Sequence, residues 1–138
     1  MSKLSALLND NKHSVIGEQE VLLTRRFTDE EGNPVMAKIK PVTSKMNGIY
    51  RQRNMKNKGK SQELSFNQNG YFMDIILNHT VEPNFKCAEW LAEQGLALPE
   101  ELVDQSLQAG EVDRLANNIL EISGFGDADE IEQETKNF

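Results

Sequence analysis

Residues 107–125 read LQAGEVDRLANNILEISGF. Val112, Leu115, Ala116, Ile119 and Ile122 recur at helical spacing, with Asp113, Arg114, Asn117, Asn118 and Glu121 opposite. That pattern predicts an amphipathic helix with one buried face. Gly110 is read as a break before it, and Gly124 as the left-handed residue that ends it. The stretch holds no nucleophile–base pair, metal-ligand spacing or phosphate loop. Leu115, Ile119 and Ile122 are assigned to a core, so the fold is set by what they pack against.

Working towards the N-terminus, Pro99 suits the first turn of a helix through about Gln108, and Glu100 and Glu101 favour its positive end. Leu102, Val103 and Leu107 are its apolar contacts. A short helix is expected over 84–95, capped by Asn84 and stopped at Gly95, with Phe85, Ala88, Leu91 and Ala92 on one side. Over residues 65–80, Phe72, Ile75, Ile76 and His79 share a helical face, Met73 and Leu77 widen it, and Pro83 ends the run. Thr43 and Ser44 can each cap a helix carrying Met46, Ile49 and Tyr50. The following RQRNMKNKGKSQ is read as a helix end and a flexible loop. Residues 19–42 predict a β-hairpin: Val21, Leu23 and Phe27 alternate, turn formers fill 28–34, and Val35, Ala37 and Ile39 alternate again.

The expected architecture is α+β, an N-terminal β-hairpin followed by a mostly helical domain of four to five short helices. It divides into a flexible segment at 1–17, the hairpin at 18–42, the helical domain at 43–125 and an acidic flexible tail at 126–138.

With 138 residues, 38% of them apolar, the chain can bury one core. No apolar run reaches the roughly 18–20 residues that span a bilayer. The start, MSKLSALLND, lacks the cleavage site of a secretory signal. The lone Cys87 gives no disulfide framework, and the simplest location is a cytoplasm. Charge is polarised: residues 1–60 carry twelve basic and six acidic side chains, and residues 61–138 three and sixteen, for a net −7. Such asymmetry points to an internal charge match or a charged partner.

Catalytic and metal chemistry find little footing. His13, His79 and Cys87 share no ligand spacing, and His79 reads as a partly buried histidine on an apolar face. The carboxylates fall on polar helix faces. No GxxxxGK[ST] or GxGxxG occurs. No enzyme activity and no cofactor are expected. Lys45, Arg51, Arg53, Lys56, Lys58 and Lys60 form a basic segment without acids, which supplies an alternative reading as a small nucleic-acid-binding regulatory protein. The net negative charge argues against it, and a solvated loop or a face docked on the acidic half is preferred. Four apolar stripes are many for one small core, so one is expected to line a groove for a partner helix. The candidates are Phe72, Ile75, Ile76, Leu102, Val103 and Leu107.

The second half also carries an ordered pattern: Thr80-Val81-Glu82-Pro83-Asn84-Phe85, Glu89-Trp90-Leu91, Gly95, Leu98-Pro99-Glu100-Glu101-Leu102-Val103, Leu107, Ala109-Gly110-Glu111-Val112, Leu115, and Ile119 through Phe125. This order resembles the XkdN-like family of phage tail assembly chaperones, over about residues 64–125. The hairpin and its exit, Ile39 to Lys45, fit as well. Ala109 stands where members often have proline, and residues 51–63 are more basic than the pattern. The resemblance implies a protein encoded beside the tape measure gene of a long-tailed phage. It would bind and solubilise the tape measure protein in the cytoplasm of the bacterial host, promote tail tube assembly, and be absent from the mature virion. Further partners it implies are the tail tube protein and a frameshifted longer form of the chain. A homo-oligomer remains open, with no membrane partner.

Overall fold

The computed structural model describes residues 3–8, 17–57 and 64–125. A first helix, α1, spans Lys3–Leu8, where one helical turn was expected. The 126–138 tail and most of the N-terminal segment expected to be flexible lie outside the described residues.

The hairpin forms from β1 (Gln19–Thr28) and β2 (Pro34–Ile39), antiparallel, with Val21 opposite Ala37 and Leu22 opposite Met36. Its turn closes on Asp29, whose Oδ1 accepts the backbone N–H of Glu31 and of Asn33, each at 2.9 Å. Gly32 there has φ +84°, which suits a residue without Cβ. One expected face is corrected. The register jumps from Leu22–Met36 to Thr24–Val35, so Leu23 is an extra residue, a bulge. Because side chains alternate with period two, one inserted residue reverses which positions point inward. Leu23 and Thr24 are therefore both buried. A second register shift falls between Thr24 and Thr28, and there Phe27 is 55% exposed with the Arg26 guanidinium 5.6 Å from its ring.

The helix expected after Thr43 forms and ends within the basic run, as expected. α2 covers Ser44–Arg53, and its cap Thr43 accepts from Met46 N through its hydroxyl. The chain does not then enter a simple loop. Asn54 turns it into β3 (Met55–Asn57), which pairs with β4 (Leu64–Phe66) as a two-stranded ribbon. The helix expected from 65 thus begins later, as α3 (Gln68–His79), capped by the Asn67 side chain accepting from Gly70 N. The ribbon's strands are three residues each, too short for a period-two signal.

From α3 the chain passes directly into β5 (Thr80–Glu82), which pairs with β2 and makes β2 the centre of a sheet ordered β1-β2-β5. α4 (Ala88–Glu93) starts at Cys87 rather than Asn84; Asn84 instead holds Lys86 N in a tight turn. α5 (Pro99–Ser106) has its proline at the first turn, as its position predicts. α6 (Ala109–Ile122) begins before Val112, so Gly110 lies inside its first turn instead of breaking it. The Glu111 carboxylate accepts Gln108 N at 2.9 Å and offsets the cost of a helical glycine. The stops at Gly95 and Gly124 are both Schellman motifs: Leu96 N bonds Leu91 O, and Phe125 N bonds Leu120 O.

Five helices follow the hairpin among the described residues, in the expected α+β arrangement. α3 is the central helix and packs on α2, α5, α6 and β5. Ile39, Ile75, Ile76, Leu102, Val103, Leu115 and Ile119 are sealed in one core, each at 1% exposure or less. Ser123 closes it from outside, accepting Val42 N at 2.8 Å and donating to Ile119 O at 2.6 Å.

One close approach fixes where α3 begins. The Asn54 side chain donates to Tyr50 O at 2.7 Å and to Asp74 at 2.8 Å, while its backbone carbonyl receives Asn67 N. A Cβ on Gly70 would lie 2.2 Å from Asn54 Oδ1. Asn54 is 7% exposed and held by these bonds, so it cannot yield freely. Gly70→Ala is expected to destabilise the fold by roughly 1–3 kcal/mol, as overpacking does. A urea midpoint equal to that of the unsubstituted protein would contradict this reading of Gly70.

Candidate binding groove

The start of α3, the outer side of α5 and the first turns of α6 meet around an open groove of about 460 Å³. Gly70, Phe72, Met73 and Val112 form its floor. Its rim is Asn67 and Asn69 from α3, Glu100 and Asp104 from α5, and Ala109 and Asp113 from α6. The floor is apolar, three carboxylates border it, and no lysine or arginine lines it.

Beside the groove, a contact from the hairpin ties α5 to α6. Arg26 Nε donates to Glu111 Oε1 at 2.9 Å, and its Nη2 lies 2.8 Å from both that oxygen and Ser106 O. Arg26 thus bonds the last residue of α5 and the third residue of α6 together. Glu111 is 4% exposed beneath an arginine that is 37% exposed. The Arg26 hydrogen bond, opposed by burial and aided by Thr24 and Gln108 N, pulls the Glu111 carboxyl down to about 2.

Of the six residues predicted to bind a partner, the structure brings all into one cluster. Only Phe72 lines the groove, at 8% exposure. Ile75, Ile76, Leu102 and Val103 are at 0% and Leu107 at 8%, so they support the groove from within. Met73, Val112 and the three rim carboxylates were missed as a site. Val112 belongs to the α6 stripe, and Glu100 and Asp104 are one turn apart on α5. No sequence spacing announces that α3 starts beside them.

The basic segment lies elsewhere. Lys45, Arg51 and Arg53 on α2 and Lys56 on β3 are exposed. Arg53 pairs with Asp74 at 3.3 Å while remaining 58% exposed, a contact that contributes little. Tyr50, the one aromatic of that stretch, is 1% exposed and offers no stacking face. Lys58 and Lys60 lie outside the described residues. His79 is 5% exposed, with Nε2 3.0 Å from Tyr50 Oη. Burial first, then the charge of Lys40, lowers its pKa from the ordinary 6.5. Cys87 is half-buried and heads α4. Among the described residues no three His, Cys, Asp or Glu side chains converge to hold a metal ion. No helix among them is long and apolar enough to cross a membrane.

The fold is a small α+β domain. The profile of the phage XkdN-like tail assembly chaperone family matches residues 4–136, and the chain belongs to that family. The chain is 33% identical over 129 residues to YqbN, an uncharacterised protein of Bacillus subtilis strain 168, covering 87% of this chain and 84% of that one. It is 28% identical over 129 residues, with the same coverage, to XkdN of the phage-like element PBSX from the same strain. The crystal structure of YqbN superposes with a TM-score of 0.64 at 27% identity, covering 82% of this chain and 89% of that chain.

Two titrations follow. Glu111 has its folded pKa below the ordinary 4.5, so its ionised form stabilises the fold above that pH, and the contribution is lost as pH falls towards 2. Neutral His79 likewise stabilises above about 6.5, and stability falls as pH drops below that value. Melting temperature against pH should decline in two windows, the upper removed by His79→Gln and the lower by Glu111→Gln. A profile flat from pH 7 to pH 5 would refute the His79 window, and one flat from pH 4.5 to pH 2 the Glu111 window. Separately, Arg26→Met should cost roughly 2–3 kcal/mol in denaturant titration, below the 3–5 typical of a fully buried broken pair because water reaches the site.

Proposed function

We propose that this chain is a non-enzymatic tail assembly chaperone of a phage or prophage. It binds and solubilises the tape measure protein, promotes assembly of the tail tube and is absent from the finished virion. The observation that carries this reading is the family match across nearly the whole chain, from residue 4 to residue 136. The groove supports it. A long helical client with apolar stripes aggregates unless those stripes are covered, and a reversible cover needs a modest apolar floor with charge around it. Here Phe72, Met73 and Val112 supply the floor, and net charge −7 keeps the complex apart from others like it. The setting is the cytoplasm of the bacterial host, where the client is made. The tail tube protein and a longer, frameshifted form of the chain are further partners in the same step.

Co-expression with the neighbouring tape measure protein, followed by fractionation and pull-down, tests the proposal. The client should be soluble and co-purify only when this chain is present. Insoluble client in both cases, with nothing retained, would contradict it.

A further inference from the structure

We infer that the groove between α3, α5 and α6 takes a helical client segment whose apolar side chains are flanked by lysine or arginine. The inference rests on the chaperone reading and narrows it to one class of client surface.

The argument is charge placed where the fold does not require it. Glu100 lies in the first turn of α5, where a carboxylate also stabilises the helix dipole. Asp104 has no such reason. It is the sixth of eight residues, close to the negative end of the same helix, where an acid is unfavourable. Asp113 faces it from α6 across the groove. None of the three is in an ion pair among the described residues, where the pairs are Arg26–Glu111 and Arg53–Asp74. The N-termini of α3 and α6 also open on the groove, and each is equivalent to about half a positive charge. Both are already satisfied, by the Asn67 side chain and the Glu111 carboxylate. About one positive charge set against three carboxylates leaves the rim clearly negative.

The floor decides the rest of the occupant's chemistry. A free cation or polar peptide would leave Phe72, Met73 and Val112 in water. A volume of about 460 Å³ lies within the usual 300–1,000 Å³ of binding pockets and admits several side chains from one face of a helix. An apolar stripe covers the floor, and cations beside it meet the rim. Charge of this kind acts mainly on selectivity and on the rate of encounter.

The test uses the full chain and a fluorescent amphipathic peptide of leucine and lysine, about 18 residues or five turns long. A second peptide has glutamate at every lysine. Anisotropy should show the lysine peptide binding at least about tenfold tighter, with a preference that shrinks in high salt. The combined variant E100Q/D104N/D113N should weaken it by about tenfold, whereas E89Q/E93Q/E121Q, which removes three charges away from the groove, should leave it within about twofold. Met73→Lys should also block binding, in protein shown to be folded by circular dichroism. Equal loss in both triple variants, equal binding of the glutamate peptide, or no binding of the lysine peptide would overturn the inference. Self-association of the unsubstituted chain that the groove variants abolish would also overturn it, by assigning the groove to a second copy's basic segment. The co-expression assay separates the two readings. Soluble client with the groove triple variant still fully active leaves the chaperone standing and removes the groove. Insoluble client beside a selective groove does the reverse.

Discussion

The contact between Arg26 and Glu111 joins parts of the chain that are 85 residues apart. On one side is a strand and on the other the junction of two helices. The arginine bonds the last carbonyl of α5 and the carboxylate that caps α6, so one guanidinium ties the adjoining ends of both helices to the hairpin. The irregular end of β1, where the register shifts at Leu23 and again between Thr24 and Thr28, is the stretch from which Arg26 reaches the helices.

Local chemistry made much of the fold legible. Thr43, Pro99, Gly95 and Gly124 act within a few residues of themselves, and each stands where its capping or turn preference places it. The α6 stripe was legible because its buried face is continuous. Features that depend on a distant partner were not. The bulge is visible only once β2 is paired. The β3–β4 ribbon pairs strands of only three residues each. Gly110 reads as a breaker unless the Gln108–Glu111 spacing is recognised as a cap, and that signal was present in the sequence. The groove was legible only in Phe72, because its other walls come from three separate helices. The remaining predicted contact residues share Phe72's apolar character but sit a layer deeper, where the same periodicity serves the core.

The polarised charge of the chain has a spatial counterpart. Lys45, Arg51, Arg53 and Lys56 are exposed on α2 and β3, outside the groove lining, whereas Glu100, Asp104 and Asp113 line it. A small domain that covers a client's apolar stripe must do so without presenting a comparable stripe of its own. Here the large apolar residues are buried in one core, and the exposed ones, such as Phe27, Leu98 and the Met55–Phe66 cross-strand pair, are on separate elements.

Hydrogen–deuterium exchange on the chain alone and in complex with its co-expressed client is the most direct test that this groove is the working surface. The account predicts slowed exchange in the first turns of α3, in α5 and in the first turns of α6, with the ribbon β3–β4 and the free edge of β1 unchanged. Protection confined to the ribbon or to the β1 edge, with the three groove helices exchanging as in the free protein, would contradict it.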